Sequence, residues 1–227
     1  MLRDKYLSAL IGLTTVAMII SLYLVFIYVP TERTMGIVQR IFYFHVPSAW
    51  VGFLAFFVAF VAGIAYLARR DWRWDLVGTA SVEIGIVSST IALVTGSLWA
   101  RPTWNTWWTW DPRLTTTLIL WIYYVSLLLL RQTVENKERQ ARFSAVLSIV
   151  GFVNVPVVFL AIRLWRTIHP VLFTSEGFAL ESSMLLTLLV SLLTFTLLYL
   201  CLLWLRVRQE YLRAEVERMK DHLLSAS

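Results

Sequence analysis

The amino-acid sequence predicts an all-α integral membrane protein with six transmembrane helices and both termini in the cytoplasm. Of its 227 residues, 59% are apolar and 15% are charged, whereas soluble domains are about 45–50% apolar and about 25% charged. Six apolar runs reach the length of about 20 residues that a helix needs to cross the hydrocarbon core. Because Cys201 is the single cysteine, a disulfide-rich secreted scaffold is excluded.

The six predicted spans are separated by short connections. They lie at residues 6–29, 48–68, 76–98, 114–130, 143–162 and 180–205. The first is too long for a signal peptide and lacks a small-residue cleavage site, so we expect it to be retained. Pro47 lies just before the second span, and Pro112 favours a clean helix start at Leu114. In the fifth span, Asn154 and Pro156 predict a kink.

The third and sixth spans carry two further features. Glu83 lies within the third span, where a carboxylate is costly unless it is paired or protonated. We expect it to pack against Asn154 or another helix rather than to serve transport. After residue 205 the pattern becomes that of a cytoplasmic amphipathic helix. Its apolar stripe is Leu212, Val216, Met219 and Leu223. We therefore divide the chain into a membrane domain, residues 1–205, and a cytoplasmic tail, residues 206–227.

The distribution of basic residues predicts the direction of insertion. Fourteen of the 20 Lys and Arg residues lie near the termini and in the connections after the second and fourth spans, and six lie on the opposite side. Since positive charge is enriched in cytoplasmic connections, both termini are predicted to be cytoplasmic. The net charge of +6 is thus a topology signal, and no pattern of basic and aromatic residues indicates nucleic-acid binding.

The outer connection between the third and fourth spans, residues 99–113, concentrates tryptophan. It contains Trp99, Trp104, Trp107, Trp108 and Trp110. One interpretation is an aromatic belt at the headgroup level of the bilayer. The other is an aromatic platform for a planar apolar ligand. In that case Arg101 and Arg113 would bind ligand carboxylates, and Asp111 would orient the two guanidinium groups.

Two histidines flank this connection on the same predicted side of the membrane. His45 precedes Pro47 near the start of the second span, and His169 lies between the fifth and sixth spans. A single histidine at such a boundary is often only an interfacial residue. Two beside an aromatic cluster also fit a pair of haem-iron ligands, because neutral imidazole binds iron well. Arg166 lies one turn before His169 and would add to the carboxylate rim if the stretch is helical.

A family resemblance makes the second interpretation specific. Residues 96–115 read GSLWARPTWNTWWTWDPRLT, which resembles the tryptophan-rich WWD signature of haem-handling proteins in cytochrome c biogenesis. Six spans in this length resemble the CcmC family of the System I pathway, within the superfamily that includes the longer CcmF and CcsA proteins. Asn105 and Pro112 replace the Gly and Ala that are common in the family.

The resemblance implies a haem-binding and transfer subunit rather than an enzyme. It implies that haem b is held at the outer face of a bacterial inner membrane, with the tryptophans as its platform and His45 and His169 as iron ligands. The implied acceptor is the periplasmic haem chaperone CcmE. The implied partners are the CcmA/CcmB ABC transporter pair and the small membrane protein CcmD.

Two other functions remain open at this stage. A subunit that moves haem or another substrate across the bilayer would need polar residues along a path, and Glu83 and Asn154 are nearly the only candidates. An electron-transfer cytochrome of the b type would place histidines inside facing spans. Removal of the tryptophans would distinguish these functions, because an electron carrier would keep its haem through histidine ligation.

Overall fold

Seven α-helices follow one another in the part of the chain that the computed structural model describes, which is residues 2–226 except 166, 168, 170–172, 175, 176 and 179. The helices are α1 (Leu2–Tyr23), α2 (Phe42–Arg69), α3 (Trp72–Trp104), α4 (Pro112–Thr133), α5 (Lys137–Phe152), α6 (Asn154–Leu164) and α7 (Ser182–Ala226). A π-helical turn at Leu24–Tyr28 extends α1, and a 3-10 helix at Ile37–Ile41 leads into α2. Phe173–Thr174 and Gly177–Phe178 form a short antiparallel pair, β1 and β2, before α7.

The helices form six stretches that are long and apolar enough to cross a membrane, since α5 and α6 together make the fifth. This confirms the predicted number of spans, and the protein is a multi-pass membrane protein. Helices α2 and α3 are the most extensively packed pair, with α7 on one side and α4 to α6 on the other. At the centre, the rings of Phe56 and Tyr124 stack with their centroids 3.8 Å apart.

The bundle has two ends, which differ in the connections they carry. The terminal end is where α1 begins and α7 leaves the bundle. The loop end carries the connections between α1 and α2, between α3 and α4, and between α6 and α7.

Most helix ends lie a few residues from their predicted positions, and three of them position the loop end. Helix α2 begins at Phe42 rather than at residue 48, with Pro47 inside it. Helix α3 continues to Trp104 rather than stopping at residue 98, and it includes Pro102. A proline near a helix end removes a single hydrogen bond, so both helices pass through it. Helix α4 begins at Pro112, two residues early, because the Asp111 side chain accepts the Arg113 N–H at 2.9 Å and caps the helix.

The predicted kink in the fifth span is confirmed as a break between α5 and α6 at Val153. Pro156 has no N–H to donate to the preceding turn, which weakens the helix at this point. The amide of Asn154 donates to the backbone carbonyl of Thr116 at 2.9 Å. This bond attaches the break to α4, so Asn154 is not the partner of Glu83.

Glu83 is paired instead with Arg206 of α7. The Arg206 guanidinium donates to the two carboxylate oxygens of Glu83 at 2.6 and 3.0 Å, and it also contacts Glu210. This pair bears out the packing role expected for Glu83. Helix α7 runs without interruption through residue 205, so no break separates the sixth span from the tail. Leu212, Val216 and Met219 of the apolar stripe are exposed, whereas the side chain of Leu223 lies outside the described part.

Candidate functional site

Both predicted histidines line one cleft at the loop end. It occupies about 670 Å³ including space open to solvent, and it lies between α2, α3 and α4. His45, His169 and Arg113 are its titratable members. The other lining residues are Phe42, Val46, Ala49, Phe53, Ala92, Leu93, Gly96, Trp99, Leu114 and Thr117. Since Phe42 and Phe53 are three turns apart on α2, the cleft extends about 16 Å along that helix.

His45 lies in the first turns of α2 and turns one side of its ring toward α3. Its Nδ1 is 3.0 Å from the carbonyl oxygen of Ala92 and 3.2 Å from the hydroxyl oxygen of Thr95. Two features therefore fix the position of His45: the helical backbone of α2 and the polar contacts of its ring with α3. Here a 3-10 helix continues directly into α2 and carries His45 to the cleft.

His169 reaches the same cleft from the connection that follows α6. Its Nδ1 lies 3.5 Å from the Thr167 hydroxyl oxygen and 3.5 Å from a carboxylate oxygen of Asp111. Burial lowers the pKa of His169 below its ordinary value of 6.5, and the positive charge of Arg113 lowers it further, while Asp111 opposes the shift. His169 is therefore neutral at pH 7, which is the state in which imidazole binds a metal ion.

Two of the five tryptophans connect the histidines. Trp99 is buried, and its ring centroid lies 6.2 Å from that of His45 and 6.1 Å from that of Trp104. The ring of Trp104 in turn lies 5.8 Å from that of His169. A continuous set of rings thus runs from one imidazole to the other, and Trp99 within this set forms part of the wall of the cleft.

The other three tryptophans lie apart from this wall. Trp107 is 56% exposed and Trp110 is 75% exposed. Trp108 packs edge-on against Trp110, with ring centroids 5.8 Å apart. The five rings therefore do not share one plane as a flat platform would require. The reason is that α3 continues through Trp104, so the first two rings follow the helix and the last three belong to the extended segment before α4.

The predicted charged residues also divide into two groups. Arg113 lines the cleft, and Asp111 is buried between the start of α4 and His169. Arg101 is exposed: it donates to the backbone carbonyl of Asn105 at 2.8 Å and lies over the ring of Trp107. Asn105 has a left-handed backbone, with φ of 54°, and ends α3. Arg166 lies outside the described residues.

Sequence reasoning did not identify the α3 residues that contact His45. Ala92, Thr95 and Gly96 lie within one turn of each other and face α2. Ala92, Gly96 and Trp99 recur at steps of four and three, which places them on one helix face. This periodicity is the signal from which a contact surface for the second span was predictable.

Comparison with known proteins gives one family match over nearly the whole chain and several similar proteins. The family described as "CcmC: Heme exporter protein C" matches residues 1–222. A heme exporter protein C of Bradyrhizobium diazoefficiens is 37% identical over 224 residues, which cover 96% of this chain and 84% of that protein. The proteins of the same name from Paracoccus denitrificans and Rhodobacter capsulatus are 33% and 31% identical, covering 81% and 91% of this chain and 78% and 86% of their own lengths.

Proposed function

The chain belongs to the CcmC, or haem exporter protein C, family, and on this basis we propose that it binds haem in the loop-end cleft and transfers it for the maturation of c-type cytochromes. The observation that carries the proposal is that His45 and His169 line one apolar cleft together with a cation. Haem needs these three elements: imidazole ligands for iron, an apolar slot for the porphyrin and positive charge for the propionates.

The chemistry of the cleft fits this ligand. The apolar part, around Val46 and Phe53, accepts the porphyrin edge, while Arg113 binds a propionate. The buried indole N–H of Trp99 has no hydrogen-bond partner among the described residues, so it is a further donor for a ligand. We place haem b here, with His45 and His169 as its iron ligands.

In this proposal the exposed side chains within residues 99–113 contact the protein with which haem is exchanged. Trp107 and Trp110 present large apolar rings next to the cleft, which suits transient contact with an acceptor and with the edge of the ligand. In this proposal Trp108 supports Trp110, and Arg101 and Arg166 complete the propionate rim. The acceptor is the periplasmic haem chaperone CcmE.

The membrane setting follows from the charge distribution. With both termini in the cytoplasm, as the basic residues predict, the loop end faces the periplasm of a bacterial inner membrane. Residues 1–205 then form the haem-handling membrane domain and residues 206–227 a cytoplasmic tail. In this proposal the tail and the terminal end contact the CcmA/CcmB transporter pair, which supplies the ATP-driven step that this non-enzymatic subunit lacks, and the small membrane protein CcmD.

Contacts within the spans favour this function over the two alternatives. A substrate path across the bilayer would use Glu83 or Asn154, yet Glu83 is paired with Arg206 and Asn154 with the backbone of α4. An electron-transfer cytochrome of the b type commonly has histidines inside facing spans and haem edges that reach both sides of the membrane, whereas His45 and His169 lie at the same end of the bundle.

The test is the visible spectrum of protein purified in detergent from a haem-replete host. We expect a Soret band in the wild type that weakens strongly in His45→Ala and in His169→Ala. His222→Ala is the matched control, because it removes the third histidine far along α7, and it should keep the band. The Soret band should be stronger when the protein is expressed in a host that lacks the chaperone. A colourless wild-type protein, or a band that survives both cleft variants, would refute the ligand assignment.

A further inference from the structure

The face of α3 that contacts His45 affects how the imidazole ring is held at the cleft. We propose that Thr95 and Gly96 are positioning residues, which hold His45 in the tautomer protonated at Nδ1 and leave Nε2 free at the cleft. The proposal rests on the proposed function for its effect on haem, but the tautomer of His45 is testable without haem.

The hydrogen bonds of Nδ1 determine which ring nitrogen carries the proton. The carbonyl oxygen of Ala92, 3.0 Å away, can only accept a hydrogen bond. The Thr95 hydroxyl donates its own proton to the carbonyl of Ile91 at 2.6 Å, so toward His45 it also acts as an acceptor, at 3.2 Å. Both neighbours therefore require a donor, and Nδ1 carries the proton. Nε2 then has a free lone pair, which is the form that binds iron.

Gly96 provides the space in which the ring lies. A Cβ atom built on Gly96 would be 3.0 Å from Cε1 of His45, 3.5 Å from Nδ1 and 4.0 Å from Nε2. All three nearest atoms belong to the imidazole, so a side chain at this position requires the ring to shift by a few tenths of an ångström relative to its partners on α3. Since Cε1 lies between the two nitrogens, this displacement would also redirect Nε2.

The contact differs from ordinary small-residue packing between helices. At Gly63, an added Cβ would meet the backbone of Ala145 at 2.8 Å, which indicates close approach of two helices. At Gly52, in the same α2–α3 interface, it would lie 3.6 Å from Ser89, an ordinary contact. Gly96 is set apart because the group it accommodates is a proposed ligand. Gly52→Ala is therefore a matched control for glycine replacement in this interface.

The first experiment measures the tautomer in apo-protein. Long-range ¹H–¹⁵N spectra of protein labelled at histidine report which ring nitrogen is protonated, and the His45 signals are assigned by their loss in His45→Gln. We expect Nδ1–H in the wild type and in Gly52→Ala, and a mixture of tautomers in Gly96→Ala. A wild-type His45 protonated at Nε2, or a spectrum unchanged by Gly96→Ala, would overturn the proposal whether or not haem binds.

The second experiment measures the consequence for haem. Replacement of groups that orient a metal ligand commonly lowers affinity 10- to 100-fold, so we expect Thr95→Val and Gly96→Ala to weaken haem binding about tenfold or more. The midpoint potential of the bound haem should rise, because a less basic imidazole stabilises ferric iron less. Thr95→Ser should restore both values. Ser97→Ala, which removes a hydroxyl that bonds within α3 to Leu93, should change neither.

The two proposals fail in different ways. If the wild type and the Thr95 and Gly96 variants bind haem equally while His45→Ala does not, the proposed function stands and this inference is wrong. Suppose that no form binds haem but the spectra show Nδ1–H in the wild type and a tautomer mixture in Gly96→Ala. Then α3 does position the His45 ring, and the proposed haem function is wrong.

Discussion

Replacing Asp111 by asparagine separates two tasks that this side chain performs at the loop end. One carboxylate oxygen of Asp111 accepts the Arg113 N–H at 2.9 Å and caps α4, and it also lies 3.5 Å from Nδ1 of His169. Asparagine caps a helix about as well as aspartate but carries no charge. Asp111→Asn therefore keeps the start of α4 and removes the carboxylate that orients His169.

The structure sets the expected magnitudes. Loss of an N-cap costs about 1 kcal/mol, so Asp111→Ala should be destabilised by that amount and Asp111→Asn by a few tenths at most. Groups that orient a metal ligand typically contribute 10- to 100-fold in affinity. Because 3.5 Å is longer than a short hydrogen bond, we expect the lower end for Asp111→Asn, a loss of about tenfold, or about 1.4 kcal/mol.

The assay pairs a Soret titration of detergent-purified apo-protein with thermal unfolding in the same detergent. Asn136→Ala is the matched control, because Asn136 caps α5 through the Arg139 N–H at the other end of the bundle. It should lose about 1 kcal/mol of stability and keep its haem affinity. If Asp111→Asn binds haem like the wild type, and Asp111→Ala weakens binding no more than Asn136→Ala does, then Asp111 is only a helix cap and the reasoning fails.

Three further perturbations address the cleft and the opposite end. Arg113→Gln should weaken haem binding about ten- to a hundredfold, since hydrogen bonds to charged groups contribute about 1.5–3 kcal/mol; the dimethyl ester of haem, titrated in parallel, should bind both forms equally. Because burial lowers the pKa of His169 below 6.5, its neutral form persists under mild acid. The Soret band should therefore be constant down to pH 6.5 and decline only below it, whereas a midpoint above 6.5 would contradict the burial of His169. Glu83→Gln breaks the pair with Arg206, which is one-third exposed, so we expect a loss of about 1 kcal/mol or less in thermal unfolding and an unchanged haem titration.

The number of spans was predictable because it depends on length and hydropathy alone. The ends of the helices were less so: α2 begins six residues before its predicted start, and α3 ends six residues after its predicted end. In both places a proline and polar or aromatic residues suggested a boundary. The true boundary of α3 is set by Asn105, whose left-handed conformation ends the helix. Asparagine tolerates that conformation better than most residues, so it can end the helix at this position.

The candidate site was predictable as a set of residue types but not as an arrangement. His45 and His169 stood out in the sequence, and they line the same cleft. The five tryptophans looked equivalent, yet packing buries Trp99 beside His45 and leaves Trp110 exposed. The distinction depends on the path of α3 and on contacts between residues distant in sequence. The contact of His45 with Thr95, fifty positions away, has no local signature beyond the spacing of small residues on α3.

The way polar groups are paired within the bundle supports the cleft as the proposed place for a ligand. In a bilayer a polar group without a partner costs several kcal/mol, and several such groups along the spans are paired between helices. Ser81 bonds to Tyr199 and Trp121 to Thr90, each between helices. At the cleft the imidazole of His45 uses only one nitrogen in the described structure. The second nitrogen, beside the apolar walls of the cleft and Arg113, is the atom that we propose meets the metal ion of a ligand. The same reasoning predicts that haem raises the melting temperature of the wild type more than that of His45→Ala.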